Sequence, residues 1–172
     1  NLVGGDLQPV LKGREGHSAV VHEGRYIYFF GGYARGTDAE QFGEAQWMND
    51  LFVLDTQAIT SNTANTAAWE FITLPNGSPA PREGHVAVVV EHKMFIFGGF
   101  GDGENFQDLH AFDMRLREWE SLTPNGIAPP ARGSGAAISI LGSSILLVGG
   151  CDFQRKRKCY NDVHMLDVKS VM

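Results

Sequence analysis

The 172-residue sequence has only two cysteines, no long apolar run and no excess of basic residues. Two cysteines do not make the disulfide framework of a small secreted domain. No apolar stretch approaches the ~18 residues that a membrane-spanning helix requires, so we expect no membrane association. With 14 Lys and Arg against 20 Asp and Glu, the chain lacks the broad basic surface typical of nucleic-acid-binding domains, which argues against a nucleic-acid partner.

Glycine, in contrast, is abundant. The sequence has 21 glycines, and six of them form the three Gly-Gly pairs of a repeat. Each pair closes an apolar run, and an arginine precedes each run at spacings of 68 and then 50 residues. A repeated period near ~50 residues indicates a repeat protein. The pairs are Gly31-Gly32, Gly98-Gly99 and Gly149-Gly150, and the arginines are Arg14, Arg82 and Arg132.

Each repeat unit predicts four short antiparallel strands. The first strand follows the arginine, and the second ends at the glycine pair, where we expect positive φ and a close approach of neighbouring backbone. The third strand ends in an aspartate suited to a turn. The fourth carries Trp69 or Trp119, and the third unit contains no such strand. The turn aspartates are Asp55, Asp113 and Asp167.

The series of arginine, Gly-His, Gly-Gly, Asn-Asp-Leu and tryptophan resembles the kelch repeat. The resemblance implies an all-β fold, a kelch-type β-propeller fragment of four-stranded antiparallel blades in which the third blade is incomplete. We expect a linker from a preceding blade over residues 1–16, blades over 17–74 and 85–122, and the incomplete blade over 136–168. The third unit departs from the pattern, since Ser134-Gly135 stands where the others have Gly-His.

Three blades do not close a ring of the usual four to eight. The terminal sheets would then present unpaired strands and apolar faces. We therefore expect further blades, supplied in cis or in trans, or self-association of the chain.

Catalysis finds little support in the residues. The histidines recur in matched positions, as His17 matches His85 and His110 matches His164, so they serve the repeat rather than a unique active site. The sequence contains no metal-ligand spacing of cysteine and histidine, no phosphate-binding loop with lysine and no nucleophile elbow. We expect no catalytic residue, no metal and no cofactor.

The loops between second and third strands differ from one unit to the next, and the resemblance implies that they share one face with the linkers that enter the first strands. Aromatic anchors beside charges of both signs are typical of protein-recognition surfaces. We expect Tyr33, Arg35, Trp47, Phe100 and Arg155 to be substantially exposed and to belong to one surface that binds a protein or peptide. The alternative is that the three aromatic residues among them only cover the ends of the blades. The candidate residues are Tyr33, Arg35, Trp47, Phe100, Asp102, Arg155, Lys156 and Arg157.

Two features of the third loop leave alternatives open. The basic run Arg155-Lys156-Arg157-Lys158 is a solvated hairpin, a nuclear-import signal or an anion-binding patch that suits an acidic partner. We expect a cytoplasmic location, with the nucleus as the alternative. Cys151 and Cys159 correspond by register to Tyr33 and Trp47, so a disulfide is geometrically compatible, but we expect two free thiols in a reducing compartment.

The sequence thus favours a non-catalytic protein-interaction module that binds through the loops at one end of the propeller. The alternatives implied by the resemblance are a regulatory or substrate-recognition part of a larger enzyme, such as a ubiquitin-ligase adaptor or a kelch-linked phosphatase, and an actin or cytoskeletal scaffold.

Overall fold

The computed structural model describes residues 12–35, 45–57, 68–73, 77–154 and 158–171. These residues form antiparallel β-strands, and a short 3₁₀ helix, Val168–Ser170, follows the last strand. The prediction of an all-β fold built from four-stranded sheets, with an incomplete third sheet, is confirmed. The expected linker from a preceding blade lies mostly outside the described residues, since the description begins at residue 12.

The first sheet has the strand order β1-β2-β3-β4. Its strands are β1 (Ser18–His22), β2 (Tyr26–Ala34), β3 (Gln46–Asp55) and β4 (Ala68–Ile72). The expectation that every glycine pair ends a strand is wrong here, because Gly31 and Gly32 lie inside β2 at a shift in the β2–β3 register. Such a register shift bends a strand without ending it, and β2 therefore continues through the glycine pair into the loop hairpin.

The second and third sheets repeat this plan with shorter strands. The second unit contains β5 (Val86–Val90), β6 (Lys93–Phe97), β7 (Phe100–Gly101), β8 (Glu104–Asn105), β9 (Leu109–Asp113) and β10 (Glu118–Leu122). The third contains β11 (Ala136–Ile140), β12 (Ser144–Val148), β13 (Cys151–Asp152), β14 (Lys158–Cys159) and β15 (Val163–Asp167). The large sheets have the orders β10-β9-β6-β5 and β11-β12-β15, while β7–β8 and β13–β14 form small separate hairpins.

The three sheets stack face to face around their first strands. β1 lies beside β5, and β5 lies beside β11. One apolar layer between the first and second sheets includes Phe30, Leu51 and Phe112. A second layer, between the second and third sheets, includes Phe95 and Ile145. Burial of this apolar surface is the main force that holds neighbouring sheets together.

The turn aspartates have the predicted role. The Asp113 carboxylate accepts hydrogen bonds of 2.9 Å from the backbone N–H groups of Arg115 and Leu116. The carboxylates of Asp55 and Asp167 each accept a bond of 3.0 Å from the backbone N–H two residues further on. These bonds satisfy turn amides that no strand pairs.

A buried arginine joins each sheet to the hairpin at its end. Arg82 is fully buried, and its guanidinium donates two bonds to the Asp108 carboxylate, of 2.6 and 2.7 Å, and one of 2.8 Å to the Gly98 carbonyl. Arg14 makes the same contacts with Asp50 and Gly31, and Arg132 makes them with Asp162 and Gly149. A planar guanidinium fits this bidentate geometry, which sets the start of each loop hairpin.

The backbone of the same arginine reaches the preceding sheet. The Arg82 carbonyl accepts a bond of 2.8 Å from Gly32 N–H, and the Arg132 carbonyl accepts one of 2.9 Å from Gly99 N–H. A Cβ at Gly99 would lie 2.8 Å from the Glu83 carbonyl oxygen, and φ there is +100°. The predicted close backbone approach and positive φ at the glycine pairs are confirmed.

Candidate functional site

Three loop hairpins lie at one end of the stacked sheets, and each has one cross-strand pair at the same structural position. The pair is Tyr33 with Trp47 in the first hairpin, Phe100 with Asn105 in the second and Cys151 with Cys159 in the third. The register that equated Cys151 with Tyr33 and Cys159 with Trp47 is confirmed. The same position in the three hairpins thus holds three chemically different pairs of residues.

The linkers that enter the first strands lie against these hairpins. Glu15 bridges to Tyr33, Glu83 to Phe100 and Gly133 to Cys151 in antiparallel pairs. The linkers are also bonded to each other, because Gly84 N–H donates to the Gly16 carbonyl at 2.8 Å and Ser134 N–H donates to the Gly84 carbonyl at 2.7 Å. Hairpins and linkers therefore share one end of the molecule, which we call the loop face.

Four aromatic rings form a continuous row across the loop face, with members from all three units. The ring centroids of Tyr33 and Trp47 are 5.2 Å apart, those of Trp47 and Phe100 are 5.8 Å apart, and those of Phe100 and Phe153 are 6.3 Å apart. The last two contacts are edge-to-face, a favoured geometry for aromatic pairs. We call these four residues the aromatic row.

Polar contacts hold the row in place. The Trp47 indole N–H donates to the Glu83 carboxylate at 3.0 Å, which links the first hairpin to the second linker. The Asn105 amide donates to the Asp152 carboxylate at 2.6 Å, which links the second and third hairpins. These bonds make the loop face one connected surface rather than three independent loops.

The exposure of the predicted residues differs from the expectation. Arg35 is exposed as predicted, and its side chain pairs with Glu15 at 2.7 Å. Asp102 is also exposed. Tyr33, Trp47 and Phe100 are only partly exposed, so the prediction of substantial exposure is wrong for them. Contact with the neighbouring rings of the row accounts for part of this burial.

Only the last residue of the basic run lies within the described residues. Arg155, Lys156 and Arg157 lie outside the described residues, while Lys158 is exposed and lies 5.0 Å from the Tyr160 ring centroid. The assignment of this run to partner binding stays a prediction.

The expectation of two free thiols is wrong. Cys151 and Cys159 form a disulfide, with their Cα atoms 4.0 Å apart. They occupy directly opposed positions on β13 and β14, where side chains point to the same side of the hairpin. The bond closes the base of the hairpin that carries Phe153.

His85 lies between the first and second sheets, as a framework group does. The His85 ring contacts the Ser18 hydroxyl at 2.8 Å and packs edge-on against Phe30, with centroids 5.3 Å apart. Burial, then the charges of Arg82 and His17, lowers the pKa of His85 to about 3, so the ring stays neutral. Among the described residues there is no group of three or more His, Cys, Asp and Glu side chains that could hold a metal.

The aspartates that bind the arginines are strongly acidic. Burial raises the pKa of Asp108, but hydrogen bonds from Arg82 and His110 outweigh it and hold that pKa well below its usual range. The hydrogen bond from Arg132 is the main cause of the same lowering at Asp162. Both carboxylates are therefore ionised structural partners.

Sequence reasoning missed two groups of residues at this end of the molecule. One is Phe153, which follows the third glycine pair closely and lies in a loop that we read only as basic. The other comprises the partners of the arginines. Their signal was an aspartate that recurs five residues before each turn aspartate, at Asp50, Asp108 and Asp162.

Within the described ranges, no helix has the length and apolar character needed to cross a membrane.

Comparison with known proteins agrees with the repeat pattern. The sequence model of the KLHDC2/KLHL20/DRC7 Kelch-repeats domain matches residues 7–172. The chain is 33% identical to acyl-CoA-binding domain-containing protein 5 of Arabidopsis thaliana over 138 residues, which cover 80% of this chain and 19% of that protein.

Two animal proteins are also similar. The chain is 28% identical to Kelch domain-containing protein 3 of Bos taurus over 170 residues, which cover 92% of this chain and 40% of that protein. It is 32% identical to the Rab9 effector protein with kelch motifs of Rattus norvegicus over 100 residues, which cover 54% of this chain and 27% of that protein.

The chain spans well under half the length of these curated relatives. Kelch repeats generally form interaction domains rather than enzymes, and the names of the relatives indicate no catalysis by the matched region. From its stacked antiparallel sheets, recurrent Arg–Asp contacts and matching sequence, this chain belongs to the kelch-repeat family.

Proposed function

We propose that the chain is a non-catalytic interaction module that binds a protein or peptide partner at the loop face. The observation that supports this most strongly is the aromatic row, because it joins side chains from all three units into one surface. Rings in such rows supply large contact area at a low cost in conformational entropy. Roles as an enzyme's regulatory part or as a cytoskeletal scaffold would use the same surface.

The charges around the row suggest the chemistry of the partner. Arg35 is 71% exposed, and its pairing with Glu15 is a surface contact of the kind that contributes little to stability. An acidic group of the partner can therefore replace Glu15 without a large energetic penalty. Together with exposed Lys158, Arg35 favours an acidic partner segment that crosses the row.

Selection of peptides from a random phage-displayed library on the 172-residue chain tests this proposal. We expect the selected peptides to carry acidic residues and to lose affinity for Arg35→Glu and Phe153→Ala. Arg115→Glu is the matched control, since Arg115 is exposed in the turn before β10. Arg117 is a poorer control because it pairs with Glu70 on the first sheet.

Melting temperatures of all variants separate lost binding from lost folding. Weakened binding by the loop-face variants at an unchanged melting temperature supports the proposal. Equal binding by every variant, or a loss confined to Arg115→Glu, contradicts it.

We also propose that another antiparallel sheet of the same kind packs on the outer face of the third sheet, which is the face turned away from the second sheet. Met165 on this face is 72% exposed, whereas its counterparts Val53 and Ala111 are 5% and 1% exposed under the following sheet. Ile138 and Val163 beside it are 60% and 59% exposed. A contiguous exposed apolar face of this kind marks an interaction surface.

A further inference from the structure

A disulfide closes the third loop hairpin, whereas the other two hairpins contain no cysteine. The strands β7 and β8 of the second hairpin are as short as β13 and β14 of the third. Residues 102–103 connect β7 with β8, but the longer segment 153–157 connects β13 with β14. A longer connection loses more entropy when its ends are brought together, and a disulfide offsets part of that loss. The covalent bond thus takes the place of the tight turn in the second hairpin.

The three residues that follow Cys151 all contact the second hairpin. The ring centroids of Phe153 and Phe100 are 6.3 Å apart. On one side of Phe153 the Asp152 carboxylate accepts a bond of 2.6 Å from the Asn105 amide, and on the other side the Gln154 side-chain amide donates to a backbone carbonyl of the β7–β8 turn. We call residues 152–154 the Phe153 segment. Its position decides whether the aromatic row reaches the third unit.

The contacts of the Phe153 segment are weaker than those at the base of the hairpin. Phe153 is 41% exposed, so water competes with its contacts. At the base, the Cys151 N–H donates to the Gly133 carbonyl at 2.8 Å, and the Tyr160 N–H donates to a carbonyl of the third glycine pair at 2.8 Å. Opening of the disulfide should therefore release the Phe153 segment and leave the base of the hairpin and the third sheet in place.

The disulfide is accessible to a reductant. Cys159 is exposed and Cys151 is partly exposed. Thiol–disulfide exchange requires a thiolate to reach one of the two sulfur atoms, and its rate depends on that access. Lys158, next to Cys159, is also exposed, and its positive charge attracts an anionic thiol. These observations make Cys159 Sγ the sulfur atom that a thiolate attacks first.

We propose that the Cys151–Cys159 bond is a site of reversible thiol–disulfide exchange, and that its reduction releases the Phe153 segment from the second hairpin. The co-reactant is a small thiol of the glutathione class. One thiolate attacks Cys159 Sγ, the protein S–S bond breaks, and Cys151 Sγ leaves and takes up a proton. A second thiolate attacks the mixed disulfide, Cys159 Sγ leaves and takes up the second proton, and oxidised glutathione is released.

The exchange reaction and the release of the Phe153 segment do not depend on the proposed function. Their consequence for a partner rests on it, because Phe153 belongs to the aromatic row. Under that function, the oxidised chain would present the complete row and the reduced chain would present a row without its third-unit member. The experiments below use no partner, so that failure of this proposal and failure of the proposed function can be distinguished.

The exchange is tested on the native 172-residue chain in mixtures of reduced and oxidised glutathione. Alkylation of thiols with iodoacetamide, followed by mass spectrometry, measures the reduced fraction. We expect both cysteines to become alkylated without denaturant as the proportion of reduced glutathione rises. We expect the disulfide to form again when oxidised glutathione is added back. A disulfide that reacts only after the chain is denatured would overturn the proposal.

The release of the Phe153 segment is measured by NMR on the oxidised and reduced chains. Reduction should abolish the nuclear Overhauser effect between the Phe153 and Phe100 rings, and should shift the side-chain amide signals of Asn105, which bonds to this segment. The ring contact between Tyr33 and Trp47 in the first hairpin is the internal control and should persist.

A variant without the disulfide separates the effect of the bond from other effects of the reductant. The double change Cys151→Ser and Cys159→Ser should give the spectrum of the reduced chain, and glutathione should not alter it. An unchanged ring contact and unchanged Asn105 signals after reduction would show that the bond does not hold the segment. Faster hydrogen exchange throughout the β15 amides would show that reduction unfolds the third sheet. Either result would overturn the proposal.

Discussion

At the scale of single residues, buried arginines connect one sheet to the next. Arg82 and Arg132 each have their backbone bonded to one sheet and their guanidinium bonded to the next, as Arg82 shows with Gly32 on one side and Asp108 on the other. The recurrence of the arginines was visible in the sequence. Their pairing with the recurrent aspartates was not, because an aspartate 26 residues away in the chain becomes a partner only through the fold.

Removal of Arg82 should be strongly destabilising. Arg82→Met leaves the Asp108 carboxylate and the Gly98 carbonyl without their buried donor, which should lower the free energy of unfolding by about 3–5 kcal/mol. Urea denaturation measures the change. Arg117→Met removes an exposed ion pair with Glu70 and should cost about 0–1 kcal/mol, so equal effects of the two changes would contradict a structural role for Arg82.

The neutral His85 ring should make stability fall as the pH falls. Its pKa is about 3 in the folded chain against an ordinary value of 6.5, so between these values the unfolded chain binds a proton that the folded chain does not. Stability is therefore fully present above pH 6.5 and declines below it. His85→Gln should reduce this decline between pH 6.5 and pH 4.5, as measured by urea denaturation at several pH values; identical slopes for both proteins would refute the explanation.

At the scale of elements, the strand pattern was largely predictable from sequence. Alternating small and β-branched residues, turn aspartates and glycine pairs located the long strands of all three sheets. The continuation of β2 through Gly31 and Gly32 was not predictable, because a glycine pair favours the end of a strand. β2 continues because it stays paired with β3 on both sides of the bulge.

The glycine pairs can be tested against a glycine with the same backbone angle. Gly98 has φ of +66° and Gly142 has φ of +65°, but a Cβ at Gly98 would overlap the Arg132 carbonyl, whereas one at Gly142 would meet nothing within 4 Å. Gly142→Ala should cost about 1 kcal/mol for the left-handed conformation alone. Gly98→Ala should cost about 2–3 kcal/mol, and thermal unfolding that shows equal shifts would mean that close packing is unimportant there.

At the scale of the whole molecule, the arrangement of the sheets decides which residues meet. Trp47 and Phe100 were predicted to share a face only through the resemblance to kelch repeats, and Phe153 of the third unit was not predicted at all. Their ring contacts could not be predicted, because these depend on the rotation between neighbouring sheets. Sequence pattern describes each sheet and carries little information on that rotation.

The outer face of the third sheet should make the isolated chain self-associate. Burial of Ile138, Val163 and Met165 against another copy removes apolar surface from water, as the following sheet does for their counterparts. Sedimentation velocity over a concentration series should show association, and Met165→Lys should reduce it. A wild-type chain that stays monomeric at high concentration would contradict this expectation.

The central claim is that recognition takes place on the aromatic row, and the indole N–H signals of the three tryptophans test it most directly. Trp47 belongs to the row and donates to Glu83, Trp69 packs against Phe29 of its own sheet, and Trp119 is buried between the first two sheets. In a two-dimensional ¹H–¹⁵N spectrum titrated with a library-selected peptide, we expect the Trp47 signal to move with peptide concentration while the Trp69 and Trp119 signals stay in place. Movement of the Trp69 or Trp119 signal with an unchanged Trp47 signal would contradict recognition at the loop face.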